Sequence, residues 1–152
     1  MLRDRSGGAV LEITERAGRA MRWFGTEKPA EVWDEASEGP LGDIEAAEKI
    51  RSICRSAADS ADFIGGLGPA EGKQRSRKKH EVEAARYQRA AKAAMEIAMK
   101  VSDDLMRDAA VREIVDLCLR ANDLKTARIL FRAIQAPLIR DGLLHEHPEL
   151  RA

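Results

Sequence analysis

Half of the large apolar side chains of this chain fall within residues 101–144, and that crowding constrains the fold more than any other feature. Leu, Ile, Val and Phe number 32 in 152 residues, with 12 in 1–64, only 3 in 65–100 and 16 in 101–144. A chain of this length supports one domain. Its share of large apolar residues is close to the roughly one-fifth below which charged chains tend to stay unfolded. The dense segment can bury a core of its own, so a firm C-terminal half and a softer N-terminal half are expected.

The elements are expected to be helices. No stretch alternates with period two for more than a few positions, and the 25 alanines favour helix almost throughout. The fold class is therefore all-α, built of antiparallel helical hairpins. Helices are predicted over Ala9 to Phe24, over Pro29 to Ser37, and over Asp43 to Ile64 with Ile44, Ala47, Ile50, Cys54, Ala57, Ala61 and Ile64 on one face. Further helices follow over Arg77 to Val101, from an N-cap at Ser102 to Ala121 through Leu105 and Ile114, over Leu124 to Ile134, and over Pro137 to His145. Gly65, Gly66, Gly68, Pro69 and Gly72 read as a linker. The expected organisation is a loosely packed helical segment over 1–40, a hairpin domain over 41–147 with a glycine-rich linker at 65–74, and a tail over 148–152.

An internal repetition gives the hairpins a period. A shift of 33 residues places Val101 on Ile134, Leu105 on Leu138, Arg107 and Asp108 on Arg140 and Asp141, Ala94 on Ala127, and Ile97 on Leu130. Ala127 and Phe131 stand four apart, Ile134 follows, and Asn122–Asp123 forms the turn before them. In these positions the segment 91–147 resembles the tetratricopeptide-type helical repeats, with Val111, Val115 and Cys118 where that family has its tryptophan, glycine and tyrosine. The resemblance implies an α-solenoid fragment and a protein-binding scaffold. A plain helix bundle with helices of this length would also repeat near 33 residues.

Charge narrows the partners. The 26 basic and 26 acidic residues balance to a net charge of +0, so no global field recruits nucleic acid or an anionic membrane. Lys73, Arg75, Arg77, Lys78 and Lys79 form a local basic run without an acid among them, able to hold phosphates or an acidic partner. With Arg107 and Arg140 these are the candidate anion- or partner-binding residues, and the Arg107–Asp108 and Arg140–Asp141 steps also read as structural corners. The His145–His147 spacing suits a metal only where the helix has ended. Cys54 and Cys118 lack ligand spacing and read as core residues.

No GxSxG, P-loop, GxGxxG or HExxH motif occurs. No catalytic residue, metal site, cofactor or small-molecule substrate is expected. The expected function is a non-enzymatic, cytoplasmic adaptor that binds another protein, away from the membrane. The alternative is a nucleic-acid-associated protein using the basic segment 73–80.

Overall fold

Carboxylates and one proline set where four of the helices begin. The computed structural model describes residues 30–34, 39–67 and 73–151. Among the described residues it contains five α-helices and no strand: α1 (Asp43–Asp62), α2 (Lys73–Ala98), α3 (Asp104–Arg120), α4 (Leu124–Ala133) and α5 (Pro137–Glu146). The fold is all-α. At α1 the Gly42 N–H donates to Glu45 Oε2 at 3.1 Å. Asp103 caps α3 by accepting the Met106 N–H at 2.8 Å, and Asp123 caps α4 by accepting the Thr126 N–H at 3.2 Å. Pro137 opens α5, where a missing N–H costs nothing.

Inter-helix contacts define the order of packing. Helix α1 packs against α2 and α3, and α3 packs in addition against α2, α4 and α5. Asp43, at the start of α1, reaches the backbone just before α3, while Asp62, at its end, pairs with Arg120 at the end of α3. The two helices therefore run parallel. Helix α5 follows α3 in the same sense, because Asp108 reaches the residues before α5 and Arg112, a turn later, reaches Glu146 at its end. Helix α2 returns between them: Lys79, near its start, stands over the Phe63 ring at the end of α1.

The core runs through these contacts. Ile50, Ile53 and Ala57 of α1 meet Tyr87, Ala90 and Ala94 of α2, and Ile114, Val115, Cys118, Phe131 and Leu143 continue the same cluster. Alanine at 90, 91, 94 and 98 gives α2 a low profile, which lets its axis approach its neighbours closely. Asn122 takes the left-handed conformation (φ 58°) in the α3–α4 turn, a geometry asparagine tolerates better than most residues.

Several expectations are corrected. Ile44 and Leu105 lie on predicted apolar stripes yet are 68% and 62% exposed, because no helix among the described residues covers the outer edge of α1 and α3 there. The α3 cap is Asp103 rather than Ser102. The final residues form a 3-10 turn over Pro148–Arg151 that buries Leu150, in place of a tail. The helix expected over Ala9 to Phe24 lies outside the described residues. Of the one expected over Pro29 to Ser37, a 3-10 turn over Val32–Asp34 is described, with Trp33 buried beneath the Arg86 guanidinium 5.6 Å from its ring.

The glycine-rich segment read as a linker over 65–74 is helical at both described ends. Phe63–Leu67 continues α1 as a π-turn, and α2 already begins at Lys73. Gly65 serves a close approach there: a Cβ on it would stand 2.0 Å from the Arg120 carbonyl oxygen. Gly65→Ala is expected to cost at least about 1–3 kcal/mol of stability, since backbone must move. Phe131→Ala should cost about 3–5 kcal/mol. Chemical denaturation checks both, and a loss below about 1 kcal/mol from Phe131→Ala would place that ring outside the core.

Candidate functional site

Of the basic residues singled out by sequence, the five with described side chains, Arg77, Lys78, Lys79, Arg107 and Arg140, do not converge on one site. Arg77 and Lys78 are exposed near the start of α2, and Lys79 lies 4.9 Å from the Phe63 ring. Successive helical positions diverge by about 100°, so these three cations spread around the helix rather than line one face. Lys73 and Arg75 belong to the same first turns, which contain no acid. Arg107 lies in the first turn of α3, which follows the far end of α2, a helix whose 26 residues span about 39 Å. It pairs with Asp104 at 2.7 Å. Arg140 donates to the Ile134 carbonyl at 2.8 Å and lies over the Phe131 ring at 4.6 Å, closing the end of α4.

The acidic members of the repeated steps differ more sharply. Asp108 is buried and accepts the Gln135 and Ala136 N–H groups at 2.9 and 2.8 Å, ahead of α5. Asp43 does the same ahead of α3, accepting the Ser102 and Asp103 N–H groups, both at 2.9 Å. Those two N–H groups hold the Asp43 carboxyl below its ordinary range. Asp141, the partner of Asp108 by sequence shift, is exposed and lines a groove of about 430 Å³ with Leu144, His145, Pro148 and Arg151.

One face of α3 carries a chain of charged contacts toward its neighbours. Arg112 donates to both Glu146 oxygens at 2.7 and 2.8 Å, which holds the Glu146 carboxyl low. Arg120 grips both Asp62 oxygens at 2.7 and 2.5 Å, with the same effect on Asp62. Between them Asp116 is pushed up by burial, despite Arg112 and His147 nearby. Sequence reasoning missed Asp116, since a single carboxylate in a helix bears no mark of its neighbours. His147 was legible through the His145–His147 spacing, and α5 does end at Glu146.

The seam between α1 and α3 is open to solvent. Two grooves of about 150 and 160 Å³ lie along it, one lined by Arg55, Ala58, Asp116 and Arg120, the other by Ala47, Arg51, Met106 and Ala109, and Glu113 borders both. By helical spacing Ile44 and Leu105 belong to the same faces, one turn ahead of Ala47 and Ala109. Cys54 reaches the first groove, but burial pushes its thiol up to about 12, and that of Cys118 up to about 11, so neither is a thiolate nucleophile near neutrality. Tyr87, also raised by burial, donates its hydroxyl to Asp123 Oδ2 at 2.7 Å.

The capping carboxylates generate two predictions. Asp108→Ala strands two N–H groups and should cost about 2–4 kcal/mol in chemical denaturation. Asp43, Asp62 and Glu146, each with a lowered folded pKa, add stability that is present above the ordinary carboxylate value and is lost as pH falls through the lowered one. The melting temperature should therefore drop below about pH 4, and less steeply in Asp43→Asn. No family model matches the chain, and no curated protein or solved structure matches it either.

Proposed function

We propose that this chain is a protein-binding adaptor whose hairpins stack in the manner of tetratricopeptide-type repeats, and that it receives a segment of its partner along the α1–α3 seam. The observation that carries the reading is the pair of adjoining grooves bordered by Glu113, with Ile44 and Leu105 exposed at their head. Ala47, Ala58 and Ala109 keep the lining shallow, while Arg51, Arg55, Glu113, Asp116 and Arg120 supply both signs of charge. A helical or extended peptide with small apolar anchors and mixed charges suits such a surface.

Two further features support the stacked arrangement. Helices α1, α3 and α5 follow one another in the same sense, with α2 and α4 as the returning members of their hairpins. The first residues of α3 and α5, Asp104 and Pro137, stand 33 positions apart. In repeat scaffolds the row of equivalent helices lines the binding surface.

Ala109 is exposed, so Ala109→Arg fills the groove while leaving the core untouched, and its stability should stay within about 0.5 kcal/mol of the parent. Affinity capture with the full chain, read by quantitative mass spectrometry, should recover a set of proteins that Ala109→Arg and Arg55→Glu lose. Equal recovery by Ala109→Arg would overturn the reading. Recovery of nucleic acid that weakens steeply with salt and is lost on Arg77→Glu with Lys78→Glu would move the binding site to the start of α2.

A further inference from the structure

The corner where α3 faces the end of α5 brings together three side chains that ligate metals. Asp116, Glu146 and His147 each present one donor atom, and these atoms all lie within 4.8 Å of one another. His147 is where α5 has ended, with φ −135° and ψ 77°, so its ring is released from the helical spacing that would turn it away from α3.

Two observations distinguish this corner from an ordinary surface cluster. Asp116 Oδ1 is buried and has no hydrogen-bond partner, a state that native structures rarely leave uncompensated. His147 Nε2 stands 3.8 Å from it, too far for a hydrogen bond yet close enough for two ligands of one ion. On the other side of the ring, His147 Nδ1 faces Glu149 Oε1 at 3.6 Å. At that distance no hydrogen bond forms, but Glu149 drawn to bonding distance behind the ring would orient the far nitrogen toward a metal.

Arg112 donates to Glu146 and stands 4.0 Å from Asp116 Oδ2, while Arg128 donates to the Glu149 carbonyl oxygen at 2.8 Å, so Asp116 Oδ1 receives neither guanidinium.

We propose that Asp116, Glu146 and His147 bind one divalent transition-metal ion of the zinc class, through Asp116 Oδ1, a Glu146 carboxylate oxygen and His147 Nε2. One nitrogen and two oxygens suit zinc or cobalt better than magnesium or calcium, which prefer oxygen alone. Three protein ligands leave a fourth position open. Arg112 remains on Glu146 as its outer partner, and Glu149 stands behind His147. Bound there, the ion ties α5 and the Pro148–Arg151 turn to α3.

The test is calorimetric titration of the metal-stripped full chain with zinc chloride. One saturable site is expected, with a raised melting temperature. Asp116→Asn and His147→Ala should each weaken binding at least about tenfold, and Glu149→Gln should weaken it less. His145→Ala, at an exposed position two residues earlier, should bind as the parent does. Absence of saturable binding, or equal losses from His145→Ala and His147→Ala, would overturn the proposal. Cobalt absorption of the unmutated chain supplies a readout independent of the variants. Ligand-field bands without thiolate charge transfer are expected, and a thiolate band would assign the ion to Cys54 or Cys118 instead.

Discussion

The row of α1, α3 and α5 depends on carboxylates borrowed from neighbouring helices to satisfy the backbone just ahead of α3 and α5. Asp43 accepts two N–H groups before α3, and Asp108 accepts the two that stand 33 positions later, before α5. Unpaired amides at these junctions would carry a desolvation cost comparable to a lost hydrogen bond each. Each carboxylate thus fixes where the next helix starts relative to the one that supplies it. The burial differs: Asp108 is 3% exposed, whereas Asp43 lies at the surface. The Asp108 junction consequently belongs to the core, and the Asp43 junction responds to solvent and acid.

Close packing on one side of this row leaves the other side open. The alanines of α2 bring it near α1 and α3, and Gly65 lets the end of α1 touch the backbone at the end of α3. Nothing among the described residues covers the outer seam of α1 and α3, where Ile44 and Leu105 remain exposed beside charged groove walls. On the proposed reading, that open seam is where the partner docks. It ties the proposed adaptor role to the same packing that stabilises the fold.

Helix α3 is the common member of nearly every contact, and its charged residues are shared out accordingly. Arg112 serves α5, Arg120 serves α1, and Asp116, lying between them, is left with a buried oxygen that no donor reaches. A structural role for the arginines and a ligand role for Asp116 are compatible, since the guanidinium on Glu146 leaves the His147 ring facing Asp116.

Helical periodicity, the alanine content and the density of apolar residues over 101–144 determined by themselves that the chain is helical and where several helices begin and end. Asp43, Leu124 and Pro137 open helices where short-range rules place them, because capping and proline geometry depend on residues a few positions apart. Tertiary structure decided how much of a predicted stripe faces inward. Leu105 and Ile114 belong to one predicted face, yet Leu105 is exposed and Ile114 is buried, since a stripe is covered only where another helix reaches it. It also decided that Leu150 is buried, that Gly65 is a contact rather than a freedom, and that Arg140 closes a helix end. The meeting of Asp116 with His147 across 31 positions was beyond any local rule. Such a contact is fixed by how α5 lies on α3, and that is set by the long-range hydrogen bonds of Asp108.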